Sequence, residues 1–343
     1  MNIKTLGIDL AKNTFQLHGV NAQGEAILKK KLSREALLPF LANLPACMII
    51  VEACSSAQYW CRQFERLGHQ TKIISPQFVK PFVKYHKNDA NDAAGIVEAG
   101  TRPSMNFVPK KSVEQQDIQC LHRIRYRLVK QRTALINQIR GLLSEYGIIM
   151  PKYITTVRKK LPEVLENAEN ELTDLGREIF FDLYQQLVEL DKKIEEYENR
   201  LKRLYSQSEA CQRIGQIEGI GVLTATAMLA TIGDIRVFKN GRHLAAFLGL
   251  IPRQHSSGNK QQLLSISKRG DVYLRMLLVH GARSALRVAG KKIDEKSRWI
   301  MDLKARCGEN KACVALANKN ARTIWALLAR DKPYQRNIKY ISQ

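Results

Sequence analysis

Apolar and polar positions change period several times along this chain, and each change marks an element. The runs "TLGIDLA" and "TFQLHGVN" are short and β-type with "KN" between them, and "GEAILKKKL" follows at hairpin spacing. "REALLPFLANL" has helical spacing. "CMIIVEA" is a compact apolar run with β-branched residues, as a buried strand should be. "SAQYWCRQFERLG" then reads as a helix closing at Gly68, and "TKIISP" as another strand. The Ala-rich stretch "DANDAAGIVEAG" has the composition of a helix.

Three antiparallel strands, a helix, then strand, helix, strand is the element order of a ribonuclease H-like fold. Residues 3–107 therefore form an α/β unit. Beyond it, residues 113–145 read as one long helix carrying "LHRIRYRLVKQRTALINQIRGLL". Between residues 178 and 205 the apolar positions Phe180, Leu183, Leu187, Leu190, Ile194, Tyr197, Leu201 and Leu204 alternate steps of three and four. That is a heptad seam, flanked by mixed charges as in a coiled coil. It can pair within the chain, with residues 113–145, or between chains. Further on, Gly219 and Gly221 in "IEGIGVLTATAMLATIGD" flank a tight turn before a helix, the pattern of a helix-hairpin-helix element whose turn amides approach a phosphate. "RQHSSGNKQQLLSISKRGD" reads as a polar, basic loop before the helix "VYLRMLLVHGARSAL". The organisation expected is an α/β domain over 1–108, a helical coiled-coil segment over 109–208 and a mainly helical domain over 209–343.

Charge narrows the function. The 343 residues include 55 Lys and Arg against 32 Asp and Glu, a net charge of +23, which favours a polyanionic partner. Nucleic acid is the leading partner. No run of 18 apolar residues or signal-like N-terminus supports a membrane or secreted protein, so a cytoplasmic, DNA-associated one is expected. Seven cysteines lie scattered without a C-x-x-C, which argues against a disulfide framework or a zinc knuckle. Residues 113–145 hold no acid between Asp117 and Glu145, so Arg123, Arg125, Arg127, Lys130, Arg132 and Arg140 are expected on a phosphate backbone, with Tyr126 among them. Arg253, Lys268 and Arg269 are further candidates for holding phosphates. His255 reads as a DNA contact or a loop residue.

Against this charge, the acids stand out. Asp9 and Glu52 each lie at the end of an apolar strand, where burying a carboxylate costs several kcal/mol unless a cation or strong hydrogen bonds compensate it. Asp89 and Asp92 stand three apart, on one face if their segment is helical. An ordinary account of that pair is a helix start with an acid capping free N–H groups. In a ribonuclease H-like order, however, the strands of Asp9 and Glu52 are neighbours and converge with the helix of Asp89 and Asp92. Four carboxylates suit two Mg²⁺ ions, hard cations that, about 4 Å apart, clamp the attacking and leaving oxygens of a phosphodiester.

The residues that carry this reading, Asp9 in "GIDLAKN", Glu52 in "VEAC" and the pair in "KNDANDA", resemble the DEDD domain of the insertion sequence 110 family of transposases. "IEGIGVLTATAMLATIGDI", "FKNGRHLAAFLGLIPRQHSSGNK" and "ISKRGDVYLRMLLVHGARSAL" resemble the family's second domain, so the likeness spans nearly the whole chain. It implies a transposase and DNA recombinase guided by a structured non-coding RNA from its own element, which pairs with target and donor DNA. It also implies a RuvC-like metal site working with a serine nucleophile. By motif position that serine falls in "HSSG" and is assigned to Ser257, with Ser256 left open. A transient phosphoserine bond would conserve the energy of the cut strand for rejoining. The resemblance further implies a homo-oligomer, a dimer or tetramer, in which Ser257 of one subunit meets the four acids of another.

Rival readings are a junction resolvase that uses the four acids with water, an actin-like ATPase, and a non-catalytic RNA-binding protein. The ATPase needs a second Gly-rich phosphate loop, absent between residues 108 and 343.

Overall fold

The computed structural model describes residues 2–83, 88–258 and 260–335. The chain divides into two compact units, Met1–Ser112 and Val113–Gln343, so the helical middle belongs with the C-terminal region.

In the first unit three strands, β1 (Thr5–Leu10), β2 (Thr14–Val20) and β3 (Ala26–Ser33), form an antiparallel meander. Helix α1 (Arg34–Ala42) leads to β4 (Met48–Glu52), α2 (Ala57–Arg66) and β5 (Gln70–Ile74), as the periodicity predicts. The short α3 (Pro76–Val79), the helix α4 (Asp89–Gly100) and the two-residue β6 (Phe107–Val108) complete the unit. The sheet order is β3-β2-β1-β4-β5-β6, with β1, β4 and β5 parallel. Both faces are covered. On one, Leu6, Ile8, Ile49 and Val51 pack with Trp60 and Phe64 of α2; on the other, Ile50 and Ile74 pack with Ile96 and Ala99 of α4. The alternation within "IIV" follows the two-residue period of a strand and fixes which way Glu52 points. β6 was not expected, being too short for any period.

The second unit is mostly helical. It contains α5 (Val113–Ser144), α6 (Ile154–Glu166), α7 (Asp174–Gln207), α8 (Glu209–Gly215), α9 (Val222–Ile232), α10 (Gly241–Phe247), the strands β7 (Pro252–Ser257) and β8 (Lys260–Ile266), α11 (Val272–Ala289), α12 (Glu295–Cys307) and α13 (Glu309–Arg330). The seam of α7 pairs within the chain. Phe180, Leu187, Ile194 and Leu201, seven apart, are each at most 3% exposed, and α7 lies against α5. Arg125 pairs with Glu198, Arg132 with Asp191 and the Tyr146 ring with Phe180, so the two helices run antiparallel. Helix α6 escaped the sequence reading because Pro162 interrupts its pattern.

The stretch expected as a basic loop is partly a hairpin. β7 and β8 pair antiparallel, from Pro252↔Ile266 to Ser257↔Lys260. Every residue of β7 is exposed, so no alternation of buried and polar positions marks the strand in the sequence.

Candidate active-site residues

Asp9, Glu52 and the first turn of α4 lie toward the same end of the first sheet. Asp9 and Glu52 lie at the C-terminal ends of β1 and β4, adjacent parallel strands whose register runs to Ile8↔Val51, one residue short of the two acids. Their direction follows from the strand period. A Cβ on Gly7 would stand 2.6 Å from Ala93 O and 2.6 Å from Val97 Cγ2, so Gly7 faces α4. Ile50 likewise packs onto Gly100 of α4. Asp9 and Glu52, two residues further along each strand, share that face. At the opposite end of β1, Lys4 and Thr5 share a cavity wall with Glu98 and Thr101 from the end of α4. Helix α4 therefore runs against β1, and its first turn, with Asp89 and Asp92, comes to the strand end that carries Asp9.

Those two aspartates are not the cap of α4. Asn88 caps it, with its Oδ1 accepting from the Asn91 N–H at 2.8 Å. The capping part of the ordinary account is thus filled by a neutral neighbour, while both aspartates do lie in the first turn, where the helix dipole favours an acid. Asp89 is exposed and Asp92 half-buried. Neither Asp9 nor Glu52 is without a polar partner. Among the described residues no three His, Cys, Asp or Glu side chains form a group able to hold a metal ion as they stand. The donor set is nonetheless of the kind a hard divalent cation takes: carboxylate oxygens from two strand ends and one helix turn.

The serines sit at the far end of the hairpin. Ser256 Oγ accepts from Gln254 Nε2 at 2.8 Å, whereas Ser257 ends β7 beside Gly258. Gly258 has φ +55° and open space around its Cα, so the turn leaves room for a close approach. At its base the hairpin is anchored firmly. Ser267 N–H donates to Ile251 O at 2.7 Å, and Lys268 N–H to Gly249 O at 3.2 Å. Gly249 packs directly on the Arg269 backbone, and Gly270 on that of Phe247. The Arg275 guanidinium, buried beneath, donates to Leu248 O at 3.2 Å and Arg269 O at 3.0 Å. This anchor holds the exposed Lys268 and Arg269 side chains in place. Arg275 was missed in the sequence, where an arginine on the apolar helix α11 looks like one more surface charge.

The basic face of α5 is narrower than its sequence suggests. The guanidinium of Arg125 is paired with Glu198, that of Arg132 with Asp191, and Arg140 Nε donates to Met150 O. Arg125 and Arg132 join α5 to α7, and Arg140 ties α5 to the loop that follows it, so each has a partner within the chain besides any phosphate; α7 supplies acids to this stretch of α5. Arg123, Arg127 and Lys130 remain exposed, with Lys130 Nζ 4.7 Å from the centre of the Tyr126 ring. Gly219, at φ +84°, packs against the backbone of Gly281 in α11, which is reason enough for a glycine there. Gly221 precedes α9 with open space around it. Arg253 Nη2 donates across the hairpin to Ser265 Oγ at 3.2 Å, and His255 is exposed opposite Gln262. No helix among the described residues is long and apolar enough to cross a membrane.

Comparison with known proteins places the chain in a family. A family model for DEDD transposases of the IS110 type matches residues 6–148, and one described as the transposase IS116/IS110/IS902 family matches residues 211–298. The chain is 49% identical over 334 residues to the transposase for insertion sequence element IS1111A of Coxiella burnetii, covering 97% of this chain and 92% of that one. It is 46% identical to a probable family 20 transposase of Pseudomonas aeruginosa, over 98% of this chain and 99% of that one. More distantly, at 22% identity, it is similar to a pilin gene-inverting protein of Moraxella bovis along 97% of its own length and 98% of the relative's. The chain belongs to the IS110 family of transposases. It is an enzyme of DNA strand cutting and rejoining.

Proposed function

We propose that this transposase cuts DNA with a RuvC-like site of Asp9, Glu52, Asp89 and Asp92 and with Ser257 as nucleophile, guided by a structured RNA from the same element. The observation that carries the reading is that β1 and β4 end side by side at Asp9 and Glu52, on the face covered by α4, whose first turn bears Asp89 and Asp92. Drawn together around a phosphate, the four carboxylates would repel one another, and a divalent cation would relieve that repulsion. A bound pair of Mg²⁺ ions would supply Lewis-acid charge neutralisation at the phosphate. Ser257 Oγ attacks phosphorus and loses its proton; one P–O bond to deoxyribose breaks, and the leaving hydroxyl gains a proton. Attack on the phosphoserine by a hydroxyl of another strand reverses the exchange and frees the serine. Ser257 is preferred to Ser256 because the hydroxyl of Ser256 is already engaged by Gln254.

The net charge of +23 supports two polyanionic partners, DNA and guide RNA. An oligomer, a dimer or tetramer, is supported by exposed apolar side chains in segments flanking the α5–α7 turn: Ile149 (80% exposed), Tyr153 (75%) and Leu175 (65%) are of the kind subunits cover.

The test is a covalent one. Protein purified with its bound RNA is incubated with DNA bearing the element's ends and Mg²⁺, then denatured. An adduct that disappears in Ser257→Ala and persists in Ser256→Ala supports the reading. Strand cleavage with no adduct in the unaltered protein would point instead to a resolvase that uses water.

A further inference from the structure

A groove of about 1420 Å³ runs along α13 in the second unit, between that helix and strand β8. It is larger than the ~300–1,000 Å³ usual for small-molecule sites, and its wall on α13 extends from Asn310 to Ala326, about 24 Å of helix. Its lining combines two chemistries. Arg242, Lys311, Lys319 and Arg322 give it four cations, and among the described residues no carboxylate lines it. Its apolar surface includes Leu263 and Leu264 of β8 and the indoles of Trp299 and Trp325. The Leu263 side chain is 64% exposed, unusual for a leucine on a strand. Lys319 Nζ lies 4.3 Å from the centre of the Trp299 ring, and Trp325 Nε1 donates to Phe238 O at 2.8 Å, so both rings are held in place.

We propose that this groove binds a short stretch of unpaired DNA, with bases against the indoles and leucines and phosphates on the four cations. A duplex offers a protein surface mainly phosphates and would leave the apolar wall in water. An unpaired strand offers bases and phosphates together, and base–aromatic stacking with a cationic groove is how single strands are held. The strand β8 that forms one wall belongs to the same hairpin as Ser257. The choice of DNA over RNA rests on the proposed role of that serine, because the strand that crosses the hairpin's base is then the one being cut. The groove holds it unpaired while the hairpin tip meets its phosphate.

The experiment uses the full chain carrying Ser257→Ala, so that binding is read without chemistry. An oligothymidylate of about ten nucleotides and a blunt duplex of equal length are titrated separately, read by anisotropy and by tryptophan fluorescence. Trp60 is buried in the first unit and makes a constant background. The single strand should quench the tryptophan signal, and the quench should shrink markedly in Trp299→Phe. In Lys311→Ala/Lys319→Ala its affinity should fall about tenfold, and its salt slope by about 1.4, while the duplex changes less than about twofold. Equal losses for both DNAs, or no loss for either in a protein that melts normally, would overturn the proposal. So would a quench by oligouridylate but not oligothymidylate, which would give the groove to RNA. None of these readings depends on adduct formation, so failure of the serine assignment and failure of the groove are separable.

Discussion

Asp9 and Glu52 project from strands whose preceding residues, Ile8 and Val51, are wholly buried, whereas β7 is exposed at every position from Pro252 to Ser257. These two acids ride on the most constrained part of the first unit, and Ser257 on an open part of the second. On the proposed reading, ligands of a metal must be held against their mutual repulsion, which only a packed frame can do. A nucleophile would have no such burden. It needs room for a phosphate to approach, and the substrate itself can complete its position. Rigidity in the second unit stops at the Gly249–Arg269 and Gly270–Phe247 contacts, and the tip beyond them is open.

The sharpest challenge to this contrast is Asp9→Asn. Strand cleavage should fall about a thousandfold with the melting temperature nearly unchanged, measured in Mg²⁺ on labelled DNA. Mixing this protein with Ser257→Ala should restore part of the activity if subunits exchange residues; no rescue in mixed assemblies would assign each site to one chain. Next in size is Leu187→Ala, at a wholly buried seam position. It should cost roughly 2–5 kcal/mol of stability in denaturant unfolding, without changing the assembled mass in light scattering. A lower mass would mean that the seam also joins subunits.

A pH effect of comparable size comes from His122. Its ring is buried, with Nδ1 3.1 Å from Tyr273 Oη and Nε2 3.0 Å from Thr226 Oγ1. The Thr226 hydroxyl donates to Val222 O, so Nε2–H donates to Thr226 and Nδ1 accepts from Tyr273. Burial, with Arg125 nearby, lowers its pKa from 6.5 to about 4. The folded form therefore binds fewer protons between those values. The stability due to neutral His122 is complete above pH 6.5 and is lost as pH falls toward 4, by up to about 3 kcal/mol. His122→Gln should flatten the stability profile over that window; an unchanged slope would mean that other groups set it.

Two glycines then test the contrast in miniature. Gly7→Ala puts a methyl into Ala93 O and Val97, so α4 must shift off β1, at about 1–3 kcal/mol and with a larger loss of cleavage than of DNA binding. Gly258→Ala meets nothing. It should cost about 1 kcal/mol at most, from φ +55° alone, and leave the melting temperature within a degree or two. A large loss of stability there would show the hairpin tip to be packed after all.

The first unit was largely legible because each of its elements has a clean period. "CMIIVEA" reads as a buried strand and is one, β4, and the two-residue period that turns Ile50 toward α4 turns Glu52 to the same face. That β1 and β4 are neighbours, each ending in an acid, followed from element order alone. What the sequence hid were relations between distant segments. Nothing in "LHRIRYRLVKQRTALINQIR" says that Glu198 and Asp191 will come to neutralise Arg125 and Arg132. The exposed hairpin has no pattern because neither of its faces is buried. Asn88 was legible in principle, as a good capping residue one place before Asp89, but two adjacent carboxylates drew the same role to themselves.

The antiparallel pair of α5 and α7 has a further consequence as a spacer. Helices of 32 and 34 residues extend for about 50 Å at 1.5 Å per residue, so the pair works as a ruler between its apolar end and the body of the unit. A seam with a repeat of seven can be lengthened or shortened only in whole heptads, removed from both helices together. Any other change turns Leu187 or Ile194 out toward water. The reach of this arm is therefore quantised, in steps of about 10 Å, and whatever its apolar end meets can be repositioned only by jumps of that size.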